Sequence, residues 1–436
     1  MTAPIPARRG VAARFLRNPV LWSIVGLLVL AIVGSSLAVT TVVVRSGRSE
    51  AARQRRLAPF YEPPAGWRAA PVGALLRQAP LGTTIDGARS WRILYRSERT
   101  DGTPTVSSGM VLAPDSPVPA GGRPVVAWAH GTVGLGDTCA PSRNRNPLGQ
   151  LAWADGMLRA GMVVTATDYA GLGTPGVERY LIGGDAARDV LNSVRAARAL
   201  PTGAGTRVAV YGHSQGGHSA LWTGSVTPTY APEFELVGVA AAAPAAELSA
   251  LVALQDRSAV AWVIGPEVVA AWPLDDPALD PREIVSDAGL QFGASIGRRC
   301  ILQGALEGLV LQKFGKQYFR GDPNASAAWA AAFTRETPPP LPGTLPVLVA
   351  QGLDDTVVLP ATTALLERRW CAAGSRLSMA WLGDLGHVKT GLTAGPLATT
   401  WFQQRFAGVP AGTTCGTVNP VDPASPVAAR TTSPSP

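Results

Sequence analysis

Residues Arg207–Gly217 read RVAVYGHSQGG, and this stretch decides the fold class that the sequence predicts. The apolar, β-branched run Val208–Tyr211 predicts a buried strand, and Ser219–Val226 can form a helix. Between them, Gly212-His213-Ser214-Gln215-Gly216 matches G-x-S-x-G in the strand–turn–helix context of a nucleophile elbow. The serine of such a turn has a strained backbone, and glycines beside it let the strand and helix backbones pass closely. We therefore expect Ser214 to be exposed at the carboxyl edge of a sheet, above a helix N-terminus.

A second match to the motif lies at Gly293-Ala294-Ser295-Ile296-Gly297. The chain contains 48 glycines, so the motif alone has little specificity. The segment before this second match, Asp287–Phe292, has no β-branched run. We interpret the second match as accidental.

The segments around the elbow alternate between strand and helix patterns. The predicted strands are Trp91–Ser97, Thr105–Leu112, Pro124–Ala129, Met162–Thr167, Val208–Tyr211, Leu236–Ala242, Pro346–Gln351 and Leu377–Leu382. Leu148–Ala160 and Gly184–Leu200 suit helices. The pattern predicts an α/β fold, with a mostly parallel sheet that has helices on both faces. Sites in such sheets lie at the carboxyl ends of the strands, where His130, Asp168 and Ser214 fall.

The predicted domain organisation follows from shifts in composition along the chain. Residues 60–246 and 345–415 form the α/β core, and residues 247–344 are an Ala-, Leu- and Trp-rich helical insertion that would cap the elbow. Residues 45–59 are a linker, and the Pro/Ser/Thr-rich residues 416–436 are expected to be disordered.

The charge distribution argues against a nucleic-acid partner. The formal net charge of +8 is contributed entirely by residues 1–56, because residues 57–436 hold 29 basic and 29 acidic residues. The basic segment therefore flanks an apolar run and is not a nucleic-acid-binding face.

That apolar run, Val20–Val44, has 25 residues without a charge. It is long enough to cross a membrane as a helix, which would leave residues 1–19 as a basic cytoplasmic N-terminus. The alternative is a cleaved signal peptide, with Ser36-Leu37-Ala38 as its cleavage site. We favour a single-pass anchor because the apolar run continues beyond that site, and both interpretations put the body outside the cytoplasm.

The four cysteines, Cys139, Cys300, Cys371 and Cys415, are consistent with export. They are widely spaced and lack C-x-x-C motifs, and the chain has only four histidines, so we expect neither a metal site nor a cofactor. Two disulfides are expected, and spacing leaves all three pairings open.

The proposed base is His387, because elbow enzymes have the chain order Ser, acid, His, and the other histidine after Ser214, His218, lies only four residues on, in the elbow helix. The acid should lie in the loop after Pro346–Gln351. Asp355 is preferred because Gly-x-x-Asp-x-x-Val places it at the loop crest, and Asp354 is the alternative.

The oxyanion hole needs two backbone N–H groups, which we assign to Gln215, directly after the serine, and to Thr132 in the His130-Gly131-Thr132 loop. His130 and His218 are interpreted as structural. Three tryptophans are assigned to the core or to pocket lining: Trp128, Trp222 and Trp262.

Several stretches together resemble the secretory lipase family, α/β-hydrolases similar to Candida lipase A, over about Phe60 to Cys415. They are Phe60-Tyr61-Glu62-Pro63-Pro64, Ala129-His130-Gly131-Thr132, Cys139-Ala140-Pro141-Ser142, Asp168-Tyr169-Ala170-Gly171-Leu172-Gly173, the GHSQGG elbow, the Asp355 loop and Gly386-His387. The Cys-Ala-Pro-Ser box is fairly specific, whereas the elbow is generic.

The resemblance implies a Ser214–Asp355–His387 triad, a helical lid inserted before the acid, and hydrolysis of acylglycerols and other carboxylic esters. It also implies the disulfides Cys139–Cys300 and Cys371–Cys415. The N-terminal anchor departs from the many released relatives and leaves room for a surface-tethered esterase.

The sequence therefore predicts an exported serine hydrolase that cleaves ester or lipid substrates without a cofactor. A serine peptidase or an acyltransferase on the same fold is an alternative, because the triad chemistry is shared. A non-catalytic, surface-anchored binding protein is the alternative from another class, and the intact Ser–Asp–His order argues against it.

Overall fold

The computed structural model describes residues 47–83 and 85–427, and its central feature is a nine-stranded sheet. The strands are β1 (Leu75–Pro80), β2 (Ala88–Glu98), β3 (Pro104–Pro114), β4 (Arg123–Ala129), β5 (Val163–Thr167), β6 (Ala204–His213), β7 (Glu235–Ala242), β8 (Val347–Gly352) and β9 (Leu377–Leu382). Their spatial order is β1-β2-β3-β5-β4-β6-β7-β8-β9. β1, β2, β3 and β5 pair antiparallel in that order. From β5 to β9 the neighbouring strands are parallel.

The described residues contain eleven α-helices. They are α1 (residues 47–61), α2 (Ala154–Arg159), α3 (Gly183–Arg198), α4 (Gln215–Tyr230), α5 (Leu248–Gln255), α6 (Ala259–Ala271), α7 (Asp287–Gly297), α8 (Ile301–Lys313), α9 (Ala327–Arg335), α10 (Pro360–Ala372) and α11 (His387–Phe406). Apolar residues of α3, α4 and α10 pack on one face, and those of α2 and α11 pack on the other. The fold is that of an α/β-hydrolase, as the sequence predicted.

The central strands are apolar on both sides because both sheet faces are covered. In β4, Val125, Ala127 and Ala129 join the core under α3 and α4, while Val126 and Trp128 join the opposite core. Trp128 packs there against Trp153 and Tyr211. The sequence PVVAWA therefore has no polar residue because each face of β4 packs in a hydrophobic core.

The segment between β7 and β8 carries α5–α9, and we refer to residues 247–344 as the cap. It has its own hydrophobic core, which includes Trp262, Trp272 and Trp329. Trp262 packs edge-on against Tyr318, with ring centroids 5.4 Å apart. Cap side chains therefore pack largely on one another.

Two disulfides are present, with the pairing that the family resemblance implied. Cys139–Cys300 joins the segment after β4 to the start of α8 in the cap. Cys371–Cys415 joins the end of α10 to the segment after α11, over 44 residues.

One local prediction was wrong, and one segment has secondary structure that was not predicted. The helix expected over Leu148–Ala160 is confined to Ala154–Arg159, because residues 148–153 form turns. The linker expected over residues 45–59 is helical from residue 47. Its sequence is rich in Ala and Arg, which favour helices, and Glu50 bonds Arg53 one turn later.

No helix among the described residues is both long and apolar enough to cross a membrane. The predicted anchor or signal peptide at Val20–Val44 and the basic residues 1–19 lie outside the described part of the chain. The same holds for residues 428–436 of the predicted tail. Residues 416–427 form neither helix nor strand, and the Ala424 N–H donates to the Ala361 carbonyl over 2.8 Å.

Candidate active site

Ser214 lies on the sharp turn between β6 and α4. Its backbone has φ 60° and ψ −120°, a strained conformation for a residue with a side chain. A Cβ on Gly212 would come within 1.9 Å of the Gly216 carbonyl oxygen, and one on Gly216 within 1.9 Å of the Ala129 carbonyl oxygen. Glycine is therefore required on both sides of Ser214, as the elbow interpretation predicted.

The second G-x-S-x-G match has a different structure. Ser295 is an exposed residue within α7, which runs from Asp287 to Gly297. A helical serine has neither the strained backbone nor the strand before it, so the accidental interpretation of this match is confirmed.

Ser214, His387 and Asp355 form a continuous chain of hydrogen bonds. Ser214 Oγ lies 2.9 Å from His387 Nε2, and His387 Nδ1 lies 2.8 Å from Asp355 Oδ2. A carboxylate can only accept, so His387 carries its proton on Nδ1 and its Nε2 is free to accept the Ser214 proton. Three residues far apart in sequence are thus brought together in the order that serine activation requires.

The acid loop distinguishes the two neighbouring aspartates. Asp355 is buried, and its Oδ1 accepts the N–H groups of Val357 (2.9 Å) and Val358 (3.0 Å). Asp354 is exposed. Only Asp355 reaches the imidazole, because its side chain turns inward.

Gln351 is a positioning residue that the sequence did not reveal. Its Nε2 lies 3.2 Å from Asp355 Oδ2, and its Oε1 accepts the Thr363 hydroxyl over 2.6 Å. Gln351, the last side chain of β8 before the acid loop, therefore contacts the same Asp355 oxygen as His387 does. No motif would have indicated this role.

The backbone N–H groups of Thr132 and Gln215 lie in the loop after β4 and at the start of α4. Within residues 47–83 and 85–427, neither N–H donates a hydrogen bond to the protein. Gly131, directly before Thr132, approaches the serine closely, since a Cβ there would be 3.4 Å from Ser214 Cβ. Two unpaired donors beside the serine suit a developing oxyanion.

His213 also contacts the triad, and the sequence analysis gave it no role. Its ring lies 4.6 Å from that of His387, and its Nε2–H donates to the His387 carbonyl over 3.0 Å. Burial, reinforced by the neighbouring His387, lowers the pKa of His213 to about 3. His213 therefore stays neutral at neutral pH and adds no positive charge beside His387.

The other two histidines are structural in this arrangement. His218 is buried, its Nε2–H donates to the Glu336 carbonyl over 2.7 Å, and burial lowers its pKa to about 4. His130 is buried, with its Nδ1 2.7 Å from the Gly131 carbonyl oxygen, and burial lowers its pKa as well. Trp222 is half-buried and donates to the same Glu336 carbonyl.

Three of the stretches that carry the family resemblance meet in one buried cluster. Asp168 Oδ2 accepts the hydroxyls of Ser108 and Ser142, and its Oδ1 accepts the Ser142 N–H over 2.9 Å. Tyr61 OH lies 2.8 Å from Ser142 Oγ. Asp168, predicted at the site edge, therefore braces the segment after the Thr132 loop and does not touch Ser214.

A cavity with an empty volume of about 790 Å³, its open mouth included, lies over Ser214. Its wall is formed mostly by apolar cap side chains on α5 and α6. They include Leu248, Leu251, Val252, Val260, Ile264 and Val268. Ser214 thus faces a space suited to hydrocarbon.

Among the described residues, no group of three or more His, Cys, Asp or Glu side chains is arranged to hold a metal ion.

The chain matches the model of one protein family, described as "Secretory lipase", over residues 150–414. It belongs to the secretory lipase family. The match covers more than half of the chain, including the elbow, the cap, the acid loop and His387. This confirms the family that the sequence motifs indicated, and it supports an ester-hydrolysing lipase or esterase.

Individual relatives agree with this assignment. Lipase 5 of Candida albicans is 25% identical over 394 residues, covering 80% of each chain. A secreted triacylglycerol lipase of Malassezia globosa is 26% identical over 385 residues, covering 82% of each. A protein of Mycobacterium tuberculosis named "Probable inactive lipase" is 24% identical over 379 residues, covering 81% of this chain and 82% of its own. One relative of this chain is therefore named as an inactive protein.

Among solved structures, Candida antarctica lipase A in its closed state matches with a TM-score of 0.65. The match covers 84% of this chain and 89% of that lipase at 18% identity. At this identity the likeness shows the fold, here the α/β-hydrolase fold with its cap.

Proposed function

We propose that this secretory lipase hydrolyses carboxylic esters of fatty acids through an acyl-enzyme intermediate on Ser214. The observation that carries the proposal is the hydrogen-bonded series Ser214–His387–Asp355 beneath an apolar cavity. Ser214 is the nucleophile, His387 the general base and acid, and Asp355 the group that orients His387.

In the proposed reaction, Ser214 Oγ bonds to the ester carbonyl carbon while His387 Nε2 takes the hydroxyl proton. The carbonyl π electrons move onto oxygen, and the N–H groups of Thr132 and Gln215 stabilise the resulting oxyanion. When the oxyanion collapses, the bond to the alcohol oxygen breaks and His387 returns the proton to that oxygen. The acyl group stays on Ser214.

Water then attacks the acyl-enzyme, with His387 Nε2 accepting one of its protons. The second tetrahedral intermediate collapses by breaking the bond to Ser214 Oγ, which regains its proton from His387. Asp355 stays ionised throughout and stabilises the imidazolium. A carboxylic acid is released and the enzyme is restored.

The cavity supports an acyl-chain substrate over a peptide. Apart from Ser214, Tyr180 and Gln255, its lining is apolar or presents a tryptophan ring. A peptide in such a cavity would leave buried amides without partners, whereas an alkyl chain loses nothing polar there. The acyltransferase alternative shares the first half-reaction and would differ in the acceptor.

We propose that the body acts outside the cytoplasm. The apolar stretch at Val20–Val44, the two disulfides and the name of the Malassezia globosa relative support export. A membrane anchor and secretion after signal cleavage both agree with this location. N-terminal sequencing of the protein recovered from the membrane fraction and from the medium would distinguish these two possibilities.

The test uses purified wild type, Ser214→Ala and Ser295→Ala on p-nitrophenyl esters from acetate to palmitate. Ser295→Ala is a matched control, since its serine lies in the second G-x-S-x-G. We expect wild type and Ser295→Ala to turn over ester and to be labelled by a fluorophosphonate, and Ser214→Ala to do neither. If wild type neither hydrolyses any ester nor is labelled by the fluorophosphonate, the enzyme proposal is overturned and the binding-protein alternative is favoured.

A further inference from the structure

One short segment, Glu178-Arg179-Tyr180, bonds the side chains of both residues assigned to the oxyanion hole. Gln215 Nε2 donates to Glu178 Oε1 over 2.5 Å. Thr132 Oγ1 lies 2.7 Å from Tyr180 OH. Thr132 lies in the loop after β4 and Gln215 begins α4, so residues 178–180 fix the spacing between two separate elements.

The same segment also bonds the cap, at the C-terminal end of α6. Arg179 Nη1 donates to the Ala271 carbonyl over 3.2 Å, and Trp272 Nε1 donates to the Tyr180 carbonyl over 2.9 Å. The segment therefore connects the cap helix with the loop of Thr132 and the elbow of Ser214.

The geometry of the segment is tightly held. Glu178 and Tyr180 are 3% and 2% exposed, and Leu181 directly after them has a positive φ of 55°. Tyr180 and Leu181 line the cavity over Ser214. A strained, buried residue beside a reactive centre persists only where the surrounding structure holds it, and such strain is concentrated at functional sites.

Electrostatics make Glu178 suitable for this position. A carboxylate next to an oxyanion hole would oppose the charge that the hole must stabilise. Burial raises the pKa of Glu178 to about 8, with nearby Asp189 and Asp168 adding to the rise. Glu178 is therefore mostly protonated at neutral pH, and it accepts from Gln215 without bringing a full negative charge.

We propose that Glu178 and Tyr180 are positioning residues that hold Gln215 and Thr132 in oxyanion-binding geometry and link that geometry to the cap through Arg179. This inference rests on the proposed hydrolase function. It predicts that removing either contact reduces the rate of the chemical step and leaves substrate binding unchanged.

The test compares kcat and KM of the full-length chain on p-nitrophenyl butyrate. Glu178→Leu removes the acceptor of Gln215, whereas Glu178→Gln keeps an acceptor oxygen. Tyr180→Phe removes only the hydroxyl. Matched controls are Glu336→Gln, another buried acid, and Tyr318→Phe, another buried tyrosine.

We expect kcat to fall about 10–100-fold in Glu178→Leu and about tenfold in Tyr180→Phe, with KM within twofold, because losing one oxyanion donor costs about 10²–10³. Glu178→Gln should restore most of the rate, and both controls should match wild type. The rate of Ser214 labelling by a phosphonate ester, which forms an oxyanion, should fall in parallel with kcat.

Arg179→Ala tests the link to the cap, since it touches neither Gln215 nor Thr132. We expect a three- to tenfold lower kcat at unchanged KM, and a kcat equal to wild type would overturn the link. Thermal melting identifies any variant that fails to fold. If Glu178→Leu does not fold, kcat of Glu178→Gln and of Tyr180→Phe decides. A kcat near wild type in the first and about tenfold lower in the second supports the proposal, and no loss in Tyr180→Phe overturns it.

The outcomes separate this inference from the function on which it rests. Active wild type with unchanged kcat in Glu178→Leu and Tyr180→Phe would overturn the positioning role and leave the hydrolase intact. A raised KM at constant kcat would also overturn it, because the residues would then shape the cavity. Inactive wild type would overturn both.

Discussion

The α/β core and the cap differ in what holds them together and in what they offer a substrate. In the core, directional hydrogen bonds fix Ser214, at the turn between β6 and α4, His387, at the start of α11, and Asp355, in the loop after β8. The cap contributes mainly apolar side chains to the cavity and has an aromatic core of its own. Chemistry and selectivity are therefore assigned to different parts of the molecule.

The cap also carries apolar side chains on its outer surface. Helix α8 of the cap exposes Leu302 (71%) and Leu306 (58%), and Phe314, directly after the helix, is also exposed (78%). The cap contacts the core at the loops that carry site residues: Leu135 N–H donates to the Gly297 carbonyl, and Gln255 Nε2 donates to the Thr356 carbonyl. The comparison teaches that the cap can influence the site through the loops without supplying a reacting group.

The largest expected effect concerns the acid in the core. Asp355→Asn should lower kcat about 10⁴-fold, because an amide no longer fixes the His387 tautomer or stabilises the imidazolium. Asp354→Asn is the matched control and should stay within twofold of wild type, since Asp354 is exposed. Ester kinetics of both variants decide the matter, and the reverse ranking would transfer the acid role to Asp354.

The two disulfides differ in what they join: Cys139–Cys300 links the core to the cap, and Cys371–Cys415 lies within the core. Replacing either pair by alanines should lower the free energy of unfolding by about 2–4 kcal/mol, measured by denaturant titration. Removing Cys139–Cys300, which joins the Thr132 side of the core to the cap, should also change kcat. Removing Cys371–Cys415 should leave kcat unchanged. Equal effects on kcat would mean that the cap linkage has no special role.

Selectivity should respond to the cap wall. Ile264→Trp narrows the cavity, so kcat/KM for the palmitate ester should fall about 10–100-fold relative to the acetate ester. Leu306→Trp places the same bulk on the exposed face of α8 and should leave the ratio unchanged. Parallel losses on short and long esters would place the acyl chain elsewhere.

The last expected effect is on stability and not on rate, and it is a pH dependence that arises from Glu336, at the end of the cap. Burial raises its pKa from 4.5 to about 7, and its Oε2 accepts the Gly183 N–H over 2.9 Å. The folded state therefore holds this proton more tightly than the unfolded state, so the contribution of Glu336 to stability is present below about pH 4.5 and is lost as pH rises through 7. The unfolding free energy of wild type relative to that of Glu336→Gln should decrease by about 3 kcal/mol from pH 4.5 to 7.5. A pH-independent difference would contradict the shifted pKa.

Local sequence rules predicted much of the core and less of its supports. Strand β9 was predicted with its observed ends, and β6 with its elbow, because apolar runs and glycine spacing express backbone requirements that act within a few residues. The helix predicted at Leu148–Ala160 was too long, because residues 148–153 form turns. Gln351, His213 and Glu178 were missed, since each acts on a residue distant in sequence or through a side chain that belongs to no motif.

The sequence by itself determined the α/β class, the elbow at Ser214, and a short set of partners for it, since steric and chemical constraints there are local. Only the tertiary structure decided that Asp355 and not Asp354 faces His387, and that residues 178–180 bond both loops assigned to the oxyanion hole. The physical reason is that hydrogen bonds act over about 3 Å between groups that folding brings together, whatever their separation along the chain.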